Sequence, residues 1–331
     1  MMKIKLLALG GTISAKGMNR LDLKDYQSGL ITPEFFVKDL PELSEIARVD
    51  VETMDGISST AIEITHWLTL REKIIHYVTS EQYDGIVITH GTSTLEETAY
   101  FLHLTVPTDK PIVLIGAQRP YTALSSDAQL NILHGVRVAA NENSMGKGVL
   151  VVLNDEIFCA REVTKINTYR VDAFGAGQLG HLGFVDVDGT VQYYRSPTRK
   201  HTIHSLFSQL DLQHANLPTI EIVYSYAGAN GDLIQYIATS GRYQGIVIAG
   251  TGAGLVSPQE EKALEKALEN GLIIVRSSRV VNGRVVYINK YQHPAIISGD
   301  NLLPQKARIL LMLSLVTAKQ PSDIQDIFNT Y

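Results

Sequence analysis

Three short segments set hydroxyl groups and a lysine where the chain must turn tightly. The apolar run Lys3–Leu9 leads into Gly10-Gly11-Thr12-Ile13-Ser14, so a threonine hydroxyl follows two residues that let the backbone bend sharply and bring N–H groups near an anion or oxyanion. Alone, Gly-Gly-Thr reads first as an ordinary tight turn and second as a phosphate-binding loop. The next segment, Ile88-Thr89-His90-Gly91-Thr92-Ser93-Thr94-Leu95-Glu96-Glu97-Thr98, again puts a glycine and several hydroxyls after an apolar run. Thr94 is expected to cap the following helix, with Glu97 completing a capping box. One cap suffices for a helix, so Thr92 is left for another role. His90, at the end of an apolar strand, reads as a packed, hydrogen-bonded core residue. The third segment runs from Leu153 to Lys165. A lysine is ordinarily solvated, but one buried beside a hydroxyl loses basicity and can act as a base.

The elements that must position these residues are those of an α/β protein. Candidate strands are Lys3–Leu9, Val49–Thr53, Gly85–Thr89, Pro111–Ile115 and Gly148–Leu153. They alternate with helical periodicity at Ile64, Trp67, Leu68, Ile74, Ile75 and Val78, and at Leu130, Leu133, Val136 and Val138. That alternation predicts a parallel-rich sheet flanked by helices. Ligands in such sheets bind beyond the carboxyl ends of the strands, where Thr12 falls. Apolar-polar alternation around Asp188-Gly189 predicts a hairpin over 184–194. The expected organisation is a larger N-terminal catalytic domain over 1–194, a polar linker over 195–218, and a smaller C-terminal α/β domain over 219–331. In the last, Thr219–Tyr224, Gly245–Ala249 and Leu272–Val275 read as strands, and Gly231–Ser240, Pro258–Asn270 and Pro304–Ala318 as helices.

Composition removes several function classes. The 29 basic against 34 acidic residues, with no basic run, argue against nucleic acid and against an anionic membrane surface as partners. Cys159 is the only cysteine, which excludes an internal disulfide and suits a reducing compartment. No metal or cofactor is expected, and His201 and His204 fall in the expected linker, where exposed histidines are the plain reading. The N-terminal apolar run is too short for a secretory signal and reads as a first strand, so the expected location is cytoplasmic.

In this order and spacing the three segments resemble the bacterial-type asparaginases and glutaminase-asparaginases. The resemblance extends to Gly116-Ala117-Gln118-Arg119-Pro120, Ser126-Asp127 with Asn131, Arg276-Ser277-Ser278-Arg279 and Pro304-Gln305-Lys306-Ala307-Arg308. It implies that Thr12 is the nucleophile, activated by Tyr26 on a mobile flap, and that Thr92 and Lys165 form a second hydroxyl-base pair that passes protons and orients water. It also implies that Ser59 and Thr60 hold the substrate carboxylate, that Gly11 and Gly91 lie against the substrate, and that the Ala117 carbonyl orients the leaving amide nitrogen. The implied reaction is hydrolysis of the side-chain carboxamide of L-asparagine, and the implied assembly a homodimer or homotetramer with sites at subunit interfaces.

Two departures bear on the substrate. The asparaginases carry an aspartate for the substrate's α-ammonium where this chain has Ser93. They also carry an interface glutamate before the last Ser-Gly, whereas 280–299 contains no Glu or Asp here. A desolvated ammonium without its anion is costly. Asp55, near the carboxylate loop, and Asp300, near the last helix, are the alternative anions. Other readings are therefore an ω-amidase for a related carboxamide lacking the α-amino group and a catalytically silent small-molecule binder. An ammonia-producing subunit of a tRNA-dependent amidotransferase is disfavoured by the missing basic face.

Overall fold

The first apolar run forms strand β1, Lys3–Ala8, and stops one residue short of the expected end, where the Leu9 N–H bonds to the Thr89 carbonyl (3.1 Å) and Gly10 turns with φ +108°. The structure is a computed structural model that describes residues 1–54, 56–318 and 320–331. The chain divides into two units, Met1–Leu210 and Asp211–Tyr331.

In the first unit β1 joins β2 (Arg48–Thr53), β3 (Gly85–Thr89), β4 (Ile112–Ile115), β5 (Val149–Leu153), β6 (Glu156–Cys159), β7 (Gly183–Val185) and β8 (Val191–Tyr193). They form one sheet in the order β8-β7-β6-β5-β4-β3-β1-β2. The five strands from β2 to β5 are parallel, and the last three add antiparallel. Every residue of β3, β4 and β5 is buried, which explains their unbroken Ile/Val/Leu composition. From β1 the chain goes to β2 on one side and then to β3 on the other. The carboxyl ends of β1 and β3 are thus a switch point, the place where open sheets of this kind leave a crevice.

Helices α1 (Pro33–Asp39), α2 (Leu43–Ile46), α3 (Ile64–Thr79), α4 (Leu95–Thr105) and α5 (Ala128–Ala139) cover the sheet. On one face Ile132, Val136 and Phe36 pack with the strand residues Leu6, Val87, Val113 and Leu150. Helix α3 lies on α4, with Trp67 stacked on Phe101 at a ring separation of 5.1 Å. The hairpin expected around Asp188-Gly189 is β7–β8. A second hairpin, β5–β6, escaped the sequence reading. Its turn residues Asn154 and Asp155 both take positive φ (52° and 66°), the combination that a two-residue turn between twisted strands demands.

Residues 195–210 pack with the first unit. Phe207 is fully buried, and His201, expected to be exposed, is buried with its ring 4.8 Å from that of His103. Arg71 on α3 holds this stretch. Its buried guanidinium donates to the Thr105 carbonyl (2.9 Å), the Ser208 carbonyl (2.9 Å) and the Leu210 carbonyl (3.2 Å).

The second unit repeats the grammar on a smaller scale. Strands β9 (Ile220–Tyr224), β10 (Gly245–Gly250), β11 (Ile273–Ser278) and β12 (Ile296–Ser298) are parallel and adjacent in chain order. Helices α6 (Asp232–Thr239), α7 (Pro258–Glu269), α8 (Pro304–Thr317) and α9 (Pro321–Thr330) accompany them. A capping box between Ser257 and Glu260, with Pro258 in the first turn, starts α7. Helix α9 was not read from the sequence, although Pro321 in its first turn and the Gln320–Asp323 capping box are start signals.

Arg71→Met keeps the aliphatic stem and leaves buried carbonyls at Thr105 and Ser208 without their donor. It is expected to lower stability by about 3 kcal/mol. Urea unfolding of the whole chain, followed by fluorescence of the single tryptophan, Trp67, four residues away, measures this. A loss below about 1 kcal/mol would contradict the role assigned to the guanidinium.

Candidate active site

Two glycines decide how closely the ends of β1 and β3 can meet. A Cβ on Gly11 would lie 2.4 Å from the Gly91 Cα, and Gly11 has φ +88°; a Cβ on Gly91 would lie 2.7 Å from the Ser59 Oγ. No larger residue fits either place, so the Thr12 loop, the Thr92 loop and the Ser59 loop are in backbone contact. A pocket of about 530 Å³ opens there, lined by Gly11, Thr12, Tyr26, Ser28, Ser58, Ser59, Gly91, Thr92, Ser93, Gln118, Lys165, Thr168 and Tyr169.

Two hydroxyl pairs face this pocket. Thr12 Oγ1 and the Tyr26 hydroxyl are 2.8 Å apart, and Lys165 Nζ donates to Thr92 Oγ1 over 2.7 Å. Tyr26 is brought back to Thr12 by a two-residue ribbon in which Gly17 pairs with Tyr26. Lys165 comes from a matching ribbon, paired with Phe174. The Lys165 backbone N–H donates to the buried Glu96 carboxylate (2.7 Å), so α4 fixes the lysine as well as following Thr92. Burial drives the Lys165 pKa below its ordinary value, and the Glu96 carboxylate opposes that shift. The ammonium is thereby made easier to deprotonate at the place where a base would act. Among the described residues the backbone N–H groups of Thr12 and Thr92 find no protein acceptor, which leaves them free for an anion.

His90 does not face the chemistry. It is buried, its Nδ1–H donates to the Gly91 carbonyl (2.7 Å), and its Nε2 accepts from Thr98 Oγ1 (2.9 Å), which itself accepts from Trp67 Nε1 (2.8 Å). Burial lowers its pKa to about 4. The imidazole is therefore neutral near neutrality and serves as a structural link, as read from its place on the strand.

Other expectations need correction. Thr94 makes no side-chain cap; its hydroxyl donates instead to the Ser59 carbonyl (2.7 Å), tying the Ser59 loop to the start of α4. Thr60 does not line the pocket: it is exposed, and its hydroxyl bonds to that of Ser58 (2.9 Å). Ala117 is fully buried and Gln118 lines the pocket, which leaves the expected role of the Ala117 backbone carbonyl untouched. Asp300 lies in the second unit, where its carboxylate is bonded to Arg284. Asp55 lies outside the described residues.

Ser28, Ser58, Gln118, Thr168 and Tyr169 join the site without having been singled out as site residues. Gln118 sits in a motif already quoted and Ser28 lies two residues beyond Tyr26, whereas nothing in the sequence marks Thr168 or Tyr169. The Ser126-Asp127 and Asn131 motif has a clear task. Asp127 accepts from the Gln118 and Arg119 backbone N–H groups (2.9 Å each), and Asn131 Nδ2 donates to the Gly116 carbonyl (2.9 Å). The motif thus clamps the loop after β4. Among the described residues no group of three or more His, Cys, Asp or Glu side chains would hold a metal, and no helix is long and apolar enough to cross a membrane.

Residues 3–199 match the family model of the asparaginase N-terminal domain, and 219–328 that of the glutaminase/asparaginase C-terminal domain. The chain is similar to L-asparaginase 2 of Bacillus subtilis (strain 168), with 40% identity covering 99% of this chain and 86% of that protein. It is also similar to a probable periplasmic L-asparaginase of Haemophilus influenzae, with 40% identity covering 99% and 93%. The crystal structure of a probable cytoplasmic L-asparaginase from Campylobacter jejuni superposes with a TM-score of 0.95 at 38% identity, covering 100% of both chains.

If neutral Lys165 is the working form, kcat/KM rises with pH along an acid limb set by its pKa. Glu96→Gln removes the charge that holds that pKa up, so the limb should move to lower pH. A pH profile of kcat/KM for ammonia release reads it; an unmoved limb, or one moved to higher pH, would remove Lys165 as the titrating base.

Proposed function

The chain belongs to the asparaginase family, hydrolases of the carbon–nitrogen bond in linear amides, and we propose that it hydrolyses the side-chain carboxamide of L-asparagine through a threonine acyl-enzyme. The observation that carries this reading is the pair of hydroxyl–base couples on one pocket, Thr12 with Tyr26 and Thr92 with Lys165. A threonine hydroxyl is a poor nucleophile until a neighbour takes its proton. Tyr26, in hydrogen-bond contact, relays it: as Thr12 Oγ1 attacks the amide carbon, the phenol oxygen accepts the threonine proton and gives up its own toward the leaving nitrogen. The oxyanion forms against the Thr12 and Thr92 backbone N–H groups, each such donor contributing roughly 3 kcal/mol. Collapse breaks the C–N bond, the leaving nitrogen takes a proton and departs as ammonia, and Thr12 is left as an ester. Neutral Lys165, acting through the Thr92 hydroxyl, then draws a proton from water. The resulting attack releases aspartate and returns the hydroxyl of Thr12. Ser59, at the pocket wall, is the donor for the substrate carboxylate. Two intact couples support turnover over a silent binding role.

One observation favours a second reading of the substrate. Among the described residues lining the pocket, Lys165 is the only one with an ordinarily charged side chain, and no carboxylate is present. Ser93 stands where an ammonium would need an anion. A monoamide of a dicarboxylic acid without the amino group avoids that cost. We also propose a homodimer or homotetramer and a cytoplasmic location. The first rests on family resemblance and the second on the single cysteine, which suits a reducing compartment, while the similar proteins named above differ in their location.

Ammonia release from asparagine, glutamine and succinamate tests both readings together. Thr12→Ala is expected to reduce turnover by several orders of magnitude with the fold intact; near-normal release would refute the nucleophile. Under the second reading succinamate matches or exceeds asparagine in kcat/KM, and Ser93→Asp raises the asparagine value by roughly 1.5 to 3 kcal/mol, about ten- to a hundredfold. A wild-type preference for asparagine above tenfold, with little gain from Ser93→Asp, would leave the asparagine reading alone.

A further inference from the structure

Ser14 closes the motif Gly10-Gly11-Thr12-Ile13-Ser14 and takes no part in the reaction itself. The residue is 2% exposed, yet its hydroxyl is used twice. The O–H donates to the Gly11 carbonyl (3.0 Å), and the oxygen accepts from the Gly29 N–H (3.3 Å). The Ser14 backbone carbonyl accepts from the Ile31 N–H (2.9 Å). Two segments thus meet at one buried residue: the turn that presents Thr12, and the stretch by which the chain returns after Tyr26. Tyr26 stands on a ribbon of two residue pairs, Lys16 with Gln27 and Gly17 with Tyr26, which is too short to hold itself. Between its strands, Met18 is 95% and Leu21 75% exposed. The outgoing side is fastened to the loop after β4. There the Tyr121 N–H donates to the Ala15 carbonyl (3.0 Å), the Gly17 N–H to Thr122 Oγ1 (3.3 Å) and the Leu124 N–H to the Arg20 carbonyl (2.8 Å). On the returning side, residues 26–31, the hydrogen bonds that leave the ribbon run, among the described residues, to Thr12 and Ser14 alone.

We propose that Ser14 is a positioning residue whose hydroxyl locks the return of the Tyr26 segment onto the nucleophile turn and so holds the Tyr26 phenol at Thr12. The proposal rests on the functional reading above, in which Tyr26 relays the Thr12 proton. Because the Ser14 O–H is committed to Gly11, its rotamer is set and its free lone pair has a fixed direction. Gly11 is itself seated against Gly91, so Gly29 is registered on the same floor as Thr12. Without the hydroxyl, the Gly11 carbonyl keeps a donor in the Ser14 N–H (3.1 Å). The Gly29 N–H has no second protein acceptor among the described residues and is left to water. The loss therefore falls on the Tyr26 segment and spares the fold.

Limited trypsin digestion and turnover of the whole chain, wild type against Ser14→Ala, test the lock. Arg20 and Lys24, exposed between the two ribbon strands, are the cleavage sites. Losing one neutral hydrogen bond should raise the open population, and with it the cleavage rate there, about two- to tenfold. The thermal midpoint and cleavage elsewhere should stay close to wild type. The kcat for ammonia release should fall at least about threefold, since a misplacement of ~1 Å in a reacting group costs up to about a hundredfold. In a Tyr26→Phe background the same substitution should leave kcat unaltered, because the group that Ser14 positions is gone. Ser14→Cys, close in size with a weak donor and acceptor, replaces Ser14→Ala should that variant fail to fold. Wild-type cleavage at Arg20 and Lys24, wild-type kcat, or an equal loss of kcat in the Tyr26→Phe background would each overturn the proposal. A wild type that releases ammonia while Ser14→Ala matches it sinks this inference alone; a wild type that hydrolyses no monoamide sinks the functional reading with it.

Discussion

The site depends on a backbone contact more than on any side chain. Gly11 and Gly91 approach so closely that a single methyl on either would strike the other loop or Ser59. That approach sets the distance between Thr12 and Thr92, and with it the chance that one small amide meets both. A third glycine extends the contact, since a Cβ on Gly116 would lie 2.8 Å from Thr92 Cγ2. The loops after β1, β3 and β4 are packed at their backbones, so the Thr12 and Thr92 hydroxyls stand on a rigid floor rather than on free loops.

Around that floor, neutral hydrogen bonds do the positioning and charge is kept scarce. The chain Trp67–Thr98–His90–Gly91 runs from α3 through α4 into the turn that carries Thr92, every member paired and the imidazole held uncharged by burial. Thr94 gives its hydroxyl to the Ser59 carbonyl rather than to its own helix, which exchanges a cap for a tie between two site loops. Against this background burial lowers the pKa of the half-buried Lys165, with Glu96 on its backbone, and eases the loss of its proton. Polar groups that are fully paired stiffen a site.

The motifs shared with the family are not all chemical. Arg276 is buried in the second unit, where it donates to the Gly254 carbonyl (3.2 Å), the Ala253 carbonyl (3.0 Å) and the Val286 carbonyl (3.3 Å) and lies over the Tyr291 ring. Ser277 donates to the Leu302 carbonyl (2.6 Å). These residues secure the loops around β11, so their resemblance to the family reports architecture. Asp127 and Asn131 do the same for the loop after β4 in the first unit. Residue identity alone does not separate such fixtures from catalytic groups, because both kinds are polar, buried and hydrogen-bonded.

The sequence by itself determined the strands, whose Val/Ile/Leu runs have no other stable place than a covered parallel sheet, and the turns, where Gly10-Gly11 and His90-Gly91 break those runs. It also determined the order of Thr12, Tyr26, Thr92 and Lys165 along the chain and, through resemblance, the family. Boundaries came within one or two residues in most of the strands and helices read from it; β6, with no apolar period of its own, was missed, and so was α9, although Ile324, Ile327 and Phe328 carry its helical apolar spacing. Only the tertiary structure decided which groups meet. Tyr26 reaches Thr12 from 14 residues away and Lys165 reaches Thr92 from 73, each on a short ribbon with no periodic signal of its own. It likewise placed Gln118 in the pocket wall, turned Thr94 from a cap into a tie, and buried His201. The reason is physical: local pattern reports how a segment meets a generic apolar interior, whereas a pKa, an orphan donor or a wall position depends on which distant atoms surround one side chain.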